Sequence, residues 1–267
     1  MKGEGKCRQF LKYPGAKARL APWITSFFPE HESYLEPFCG SAAVLLAKKP
    51  CRQETINDID GEVINLFTVL RDPQKSERLA DLIELTPYAE EGRHKKETIC
   101  DDVEKARKYI ARTNMSISGG QKYSSGFKHA VKPNGPRCPD IWSRMPEQIR
   151  NVSKRLKDVY IRNRDAFELI QRYDFEGSLI YVDPPYPLSC RKNALYANEM
   201  NDEQHLQLVS VLKSIKYANV VVSGYDCEPY KTELAEWHKE MTTSRAESSA
   251  KRTEVLWMNF EPERRLC

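Results

Sequence analysis

Apolar positions along the chain fall into two patterns: short continuous runs, and runs spaced at three and four. Residues 33–36, 54–57, 159–161, 178–182 and 218–222 are short β-rich runs ended by polar or turn residues. Two of them, 178–182 and 218–222, are almost wholly apolar, as expected of strands buried on both faces of a sheet. Helical segments alternate with them. Residues 41–47 form a helix-like apolar run, and Asp60 is placed to cap a helix carrying Val63, Ile64, Phe67 and Leu70 at helical spacing. Residues 165–172 and 202–215 read as further helices, and 240–244 and 255–260 as a terminal antiparallel pair. This alternation predicts an α/β fold.

The pattern changes between about residues 75 and 157. Two amphipathic helices are expected at 76–85 and 101–113, then a turn-rich stretch at 116–139 containing Gly119-Gly120, Ser125-Gly126 and Pro133-Asn134-Gly135. A third helix, 146–156, opens on Pro146, which suits a first helical turn. The expected organisation is one domain from 1–74 and 158–267, interrupted by a mainly helical inserted domain at 75–157.

Charge sharpens that division. The chain carries a formal net charge of only +4, yet residues 93–157 hold sixteen Lys or Arg against six Asp or Glu. A basic module on a mildly acidic body suits a polyanionic partner, the plain alternative being a well-solvated helical surface. Arg112, Lys122, Lys128, Lys132 and Arg137 are interleaved with Tyr123, Phe127 and Trp142, a composition suited to nucleic-acid phosphates. Asn114, Ser116, Ser118 and Gln121 are candidate readers of base edges.

The remaining composition mostly excludes. With 267 residues, 40% hydrophobic and 30% charged, the chain matches an ordinary globular protein. It contains no apolar stretch of the roughly 20 residues that a membrane span needs, and no secretory signal pattern; a cytoplasmic protein is expected. The eight cysteines are scattered without a C-x-x-C pair and are read as reduced thiols. The five histidines are equally scattered, so no metal site is expected.

The strongest chemical signal is Tyr181-Val182-Asp183-Pro184-Pro185-Tyr186, where a buried strand runs directly into an acid, two prolines and an aromatic ring. Ligands of open α/β sheets sit beyond the carboxyl ends of strands. Paired prolines hold the backbone extended and remove amide donors, leaving carbonyls that accept. An exocyclic amine on a base is a poor nucleophile because its lone pair is delocalised into the ring. A carboxylate (Asp183) and a fixed carbonyl (Pro184) accepting its two N–H groups would localise that lone pair toward a methyl donor, with Tyr186 against the base. A second signal, Glu36-Pro37-Phe38-Cys39-Gly40-Ser41, is a strand, a glycine turn and a helix start of the kind that holds nucleotide-like cofactors. A third, Asn57-Asp58, puts an acid at the next strand end, where a carboxylate can hold ribose hydroxyls.

Taken together, these segments resemble the Dam-like family of DNA adenine-N6 methyltransferases, phage and prophage members included, over most of the chain from Phe10 to Phe260. Residues 12–17 resemble the family's N-terminal cofactor motif, 163–167 the motif whose acid contacts the cofactor adenine, and 223–226 and 253–257 its later motifs. The resemblance implies a Rossmann-like sheet with a terminal antiparallel hairpin and an inserted target-recognition domain. It also implies S-adenosylmethionine as cofactor, held by Tyr13, Lys17, Glu36, Pro37, Phe38, Gly40, Asp58, Asp165 and Ala166, with Asp183, Pro184, Pro185 and Tyr186 catalytic. The implied substrate is an adenine flipped out of double-stranded DNA, and a cognate restriction endonuclease is an implied partner. Transfer to cytosine N4, and a DNA-binding protein with a vestigial cofactor site, are the competing readings. Ala42 departs from the pattern, standing where many relatives have glycine; a small effect is expected.

Overall fold

A computed structural model describes residues 10–90, 100–117, 126–129, 137–191, 196–245 and 251–263. The strands are β1 (Ser33–Glu36), β2 (Gln53–Asn57), β3 (Val159–Arg162), β4 (Ser178–Val182), β5 (Asn219–Tyr225), β6 (His238–Arg245) and β7 (Lys251–Met258). They form one seven-stranded sheet in the order β3-β2-β1-β4-β5-β7-β6. The pairs β1–β2, β1–β4 and β4–β5 are parallel, whereas β7 runs antiparallel to both β5 and β6. This is the expected α/β sheet with a terminal antiparallel hairpin. The strand order reverses between β1 and β4, because the chain builds outward from β1 to β2 and later returns to add β4 on the other side. Such a reversal opens a crevice at the carboxyl ends of the strands.

The helices are α1 (Ala21–Thr25), α2 (Ala43–Ala47), α3 (Gly61–Arg71), α4 (Pro73–Glu84), α5 (Asp102–Met115), α6 (Cys138–Trp142), α7 (Met145–Leu156), α8 (Ala166–Arg172), α9 (Asp202–Ser214) and α10 (Tyr230–Glu233). Asp60 caps α3 by accepting from the Glu62 amide, as its position suggested. Among the described helices, α1, α6 and α10 lie outside the expected segments; each has five residues or fewer, too few to show a helical period.

The chain divides into two compact units, one of Lys17–Ile59 with Arg162–Cys267 and one of Met1–Ala16 with Asp60–Ile161. In the first, alternate residues of each central strand face opposite layers. Leu35, Ile180, Val182, Val220, Val222 and Trp257 join one cluster with Ile170 of α8, Leu208 and Leu212 of α9, and Tyr230 of α10. All five residues of β4 are buried, as its almost wholly apolar run foretold.

The second unit takes in α3, so its limits lie outside the 75–157 set by the change of pattern. The reason is packing: α3 lies against α5 and α7, which also pack α4. Tyr88, Phe127 and Trp142 form a small aromatic cluster, with Tyr88 and Phe127 ring centroids 5.2 Å apart and Trp142 Nε1 donating to the Thr86 carbonyl. Of the aromatics expected beside nucleic acid, Trp142 is instead buried in this unit's own core, and Phe127 is half-buried against Tyr88.

The expectation that every cysteine is a reduced thiol is corrected: Cys190 and Cys227 form a disulfide. The pair was invisible in the sequence because 37 residues separate its members. No helix among the described residues is long and apolar enough to cross a membrane.

The turn after β1 is left-handed at two positions, Gly40 (φ 46°) and Ala42 (φ 49°). Left-handed backbone costs a non-glycine residue about 1–2 kcal/mol. Ala42→Gly would relieve that, but would lose about 0.8 kcal/mol from a buried methyl and roughly 0.5–1 kcal/mol of chain entropy. Ala42→Gly is therefore expected to be near neutral. Ala42→Val, branched at a fully buried left-handed position, is expected to lose about 2–3 kcal/mol. Urea-denaturation midpoints check both.

Candidate active site

The glycine turn leaves β1 and Asp183 leaves β4, and these strands are hydrogen-bonded neighbours at the order reversal. The topology therefore brings together two motifs that lie more than a hundred residues apart in the chain. Around the turn, Asn57 at the end of β2 is a junction. Its Nδ2 donates to the carbonyls of Pro37 (3.0 Å) and Arg164 (3.1 Å), and its Oδ1 accepts from the Arg164 amide (2.9 Å). Asp58 Oδ2 accepts the Gly40 amide at 2.8 Å, and Asn163 Nδ2 donates to the Asp58 carbonyl at 2.7 Å. Three side chains, those of Asn57, Asp58 and Asn163, thus fix the loops after β1, β2 and β3 against one another.

Glu36 is only 2% exposed, and its Oε2 accepts from both the Tyr34 hydroxyl and the Leu45 amide. Burial raises its pKa to about 8 despite these two donors, with the Asp183 charge adding to the rise, so Glu36 holds its proton near neutral pH. Glu36 therefore ties α2 to β1, closed off from solvent at the base of the turn where the cofactor is expected. Pro37 and Gly40 are buried in the turn, and Phe38 is half-buried against the sheet cluster. Asp165 is exposed and caps α8, with Oδ1 accepting from Phe167 and Glu168; Ala166 follows it, half-buried. Tyr13 belongs to the other compact unit, where its carbonyl accepts the Ala16 amide.

Asp183 sits at the mouth of β4 with its side chain 18% exposed, and Lys17 Nζ lies 2.9 Å from its Oδ1. Lys17 itself is 5% exposed. Burial works against its charge, but Asp183 and Glu254 outweigh burial and hold its pKa above the ordinary lysine value. The result is a fixed ammonium beside the Asp183 carboxylate, at the strand end that carries the tetrapeptide. Its Nζ also lies 4.7 Å from the ring centroid of Tyr186. The Tyr186 ring stands edge-on to Tyr225 with centroids 4.5 Å apart, and its hydroxyl donates to Glu254 Oε2 at 2.9 Å. Arg191 secures the exit of the tetrapeptide: Nε donates to the Tyr186 carbonyl at 2.6 Å while the guanidinium forks onto Glu199.

Sequence reasoning placed residues 223–226 and 253–257 only as late motifs, yet Ser223 and Glu254 touch Asp183 and Tyr186 directly. The available signal was position: Ser223 directly follows the apolar run of β5, whose parallel register with β4 pairs Val182 with Val222. Ile59, next to Asp58, is 60% exposed.

Among the residues expected on nucleic acid, three are corrected. Arg112 is 7% exposed and forms a two-pronged pair with Glu62, at 3.1 and 2.6 Å. Asn114 is 6% exposed, its Nδ2 donating to the Ile110 carbonyl, and Ser116 is 2% exposed in a bridge to Phe127. All three are turned to interior bonding on or just beyond α5. Lys128 is half-buried and Arg137 is exposed. Ser118, Gln121, Lys122 and Lys132 lie outside the described residues, as does Tyr123.

Comparison with known proteins shows the family. The chain is 27% identical over 240 residues to a DNA adenine methylase of Haemophilus influenzae, covering 85% of this chain and 82% of that one. It is 26% identical over 279 residues to Type II methyltransferase M1.LlaDCHI of Lactococcus lactis, covering 95% of each. It is 26% identical over 236 residues to Type II methyltransferase M.MjaIII of Methanocaldococcus jannaschii, covering 78% of this chain and 80% of that one. The family model described as D12 class N6 adenine-specific DNA methyltransferase matches residues 13–253, from the N-terminal motif through the strand-end acids and the tetrapeptide, and the chain belongs to that family.

Proposed function

We propose that Asp183 and the Pro184 carbonyl accept the two N–H groups of an adenine N6 amine, in a target base flipped out of double-stranded DNA. The enzyme is an adenine-specific DNA methyltransferase, and S-adenosylmethionine, its cofactor, supplies the methyl as an electrophilic sulfonium substituent. The residues at the strand ends fit that cofactor. Asp58 offers a carboxylate to a ribose diol, exposed Ile59 and half-buried Phe38 and Phe167 offer apolar surface to a purine ring, and Asp165 offers an acid beside them. Tyr13, Lys17, Pro37, Gly40 and Ala166 complete the proposed set.

The observation that carries the catalytic reading is the pairing of Asp183. Its carboxylate is held against the Lys17 ammonium at the mouth of β4, an acceptor fixed by a cation. Catalysis then rests on position and electrostatics. Pro184 and Pro185 lack amide hydrogens, so no backbone donor at those two positions competes for the carboxylate. Tyr186, pinned through its hydroxyl and its ring, supports the edge of the base site.

The inserted basic region, 75–157, is proposed as the target-recognition domain, with Lys128 and Arg137 among the described residues as phosphate contacts and Ser118, Gln121, Lys122 and Lys132 completing the set. A cognate restriction endonuclease is proposed as a partner, in keeping with the Type II names of two relatives. The proposed place of work is the cytoplasm of a bacterial cell or phage-infected host.

The test is a digest to nucleosides of unmethylated chromosomal DNA treated with the protein and labelled S-adenosylmethionine. All label is expected in N6-methyl-2′-deoxyadenosine. Label in N4-methyl-2′-deoxycytidine would overturn the base, and cofactor binding without any labelled nucleoside would favour the vestigial-site reading.

A further inference from the structure

Among the described residues, two donors reach the Asp183 carboxylate, and both reach the same oxygen. Lys17 Nζ lies 2.9 Å from Oδ1, and Ser223 Oγ donates to Oδ1 at 2.7 Å. Behind the serine, the Tyr181 hydroxyl lies 2.9 Å from Ser223 Oγ. The direction of each proton follows from chemistry. An ionised carboxylate has none to give, so the single Ser223 hydroxyl proton points to Asp183. The Tyr181 phenol is buried, and burial together with the Asp183 charge pushes its ionisation well above the usual range. It keeps its proton and donates it to Ser223. The chain therefore runs Tyr181 O–H to Ser223 O–H to Asp183 Oδ1, each bond strengthening the next.

The sheet builds this chain. Val182 pairs with Val222 in the parallel β4–β5 register, and Tyr181 pairs with Val221. Side chains two apart share a face, so Tyr181 and Asp183 on β4 meet Ser223 on β5. The prolines after Asp183 make side-chain support necessary. An acid before ordinary residues can be fixed by following backbone amides, as Asp165 is at α8, but Pro184 and Pro185 have none to offer.

We infer that Ser223, backed by Tyr181, is a positioning residue for methyl transfer: it occupies Oδ1, fixes the plane of the carboxylate, and presents Oδ2 to the target amine. The inference rests on the reading of Asp183 as the amine acceptor.

Single-turnover methyl transfer to unmethylated chromosomal DNA tests it, alongside calorimetric S-adenosylmethionine affinity and thermal melting. Ser223→Ala is expected to slow transfer about 10- to 100-fold, the effect of one hydrogen bond to a charged group, with cofactor affinity within about twofold. Ser223→Thr, which keeps the hydroxyl, is expected to recover the rate to within about threefold. Tyr181→Phe is expected to slow transfer less than Ser223→Ala and to add nothing to it in the double variant, because the phenol acts through the serine. A parental rate in Ser223→Ala, a loss of cofactor affinity as large as the loss of rate, failure of a normally melting Ser223→Thr to recover the rate, or additive effects of Tyr181→Phe would each overturn the inference. Asp183→Ala separates the two levels. If Asp183→Ala is inactive while Ser223→Ala is normal, only the serine inference falls; if Asp183→Ala is active, the acceptor reading falls and takes the inference with it.

Discussion

Asp183→Asn is expected to abolish methyl transfer, lowering the single-turnover rate by about 1,000-fold or more, while S-adenosylmethionine affinity stays within about threefold. The substitution is close to isosteric, so the loss cannot be assigned to a cavity. Its cause is the orientation of the amide. Lys17 and Ser223 both present donors to the Oδ1 position. The new side chain must turn its oxygen toward them, because its NH2 group there would meet two donors. The NH2 then takes the Oδ2 position and faces the N–H of the target amine, donor against donor. The negative charge opposite Lys17 is lost as well, leaving the buried ammonium to Glu254 and its remaining neighbours. Asp183→Ala is expected to be equally inactive for the simpler reason that no acceptor remains. Labelled-methyl transfer in a single turnover measures the rate and calorimetry the affinity. An Asp183→Asn variant within tenfold of the parent would show that the carboxylate is not the acceptor.

How far this site could be read from the chain depended on how local each signal is. β1 and β4 lie at the residues expected, 33–36 and 178–182, because an apolar run closed by a turn or by prolines is complete within itself. The same holds for Asp60, whose capping partner lies two residues away. Arg112 shows the opposite case. In sequence it is one of several basic residues in a positive stretch, and nothing near it announces Glu62, fifty residues earlier, which takes its guanidinium inward. Asn114 and Ser116 failed alike: amide and hydroxyl groups suit base edges and interior backbone bonds equally well, and only the buried end of α5 decides between them. A surplus of Lys and Arg within a segment states its charge but leaves open which charges pair internally.

The proposed catalytic cluster divides along the same line. Asp183-Pro184-Pro185-Tyr186 is contiguous and legible. Its supports come from elsewhere: Lys17 from before β1, Ser223 from the end of β5 and Glu254 from β7. The sheet assembles them, and strand order had to be known before Ser223 could be set beside Asp183. Lys17 shows how a residue matched by family resemblance to the cofactor motif acquires a second, equally physical role once its nitrogen is seen on Oδ1.

Asn57 carries the largest expected effect on stability. It is wholly buried, and its side chain makes three bonds to backbone, two to the carbonyls of Pro37 and Arg164 and one from the Arg164 amide. Asn57→Ala removes all three partners at once and leaves those groups without replacements. At about 1–3 kcal/mol for each buried group left unsatisfied, partly relieved where water enters, the expected loss is roughly 3–5 kcal/mol, a large fraction of the 5–15 kcal/mol typical of a domain. Asn57→Asp separates hydrogen bonding from packing. The carboxylate keeps an acceptor for the Arg164 amide but turns an unprotonated oxygen toward two carbonyls. It is expected to be at least as destabilising as alanine at neutral pH and to recover partly on acidification, when a protonated carboxyl can donate one of the two lost bonds. Because Pro37 flanks the glycine turn and Arg164 precedes Asp165, both variants are expected to weaken S-adenosylmethionine binding as well, unlike Asp183→Asn. Urea denaturation across pH with parallel calorimetry checks this. A fully stable Asn57→Ala, or an Asn57→Asp variant whose stability falls on acidification, would show that the three bonds do not hold the strand ends together.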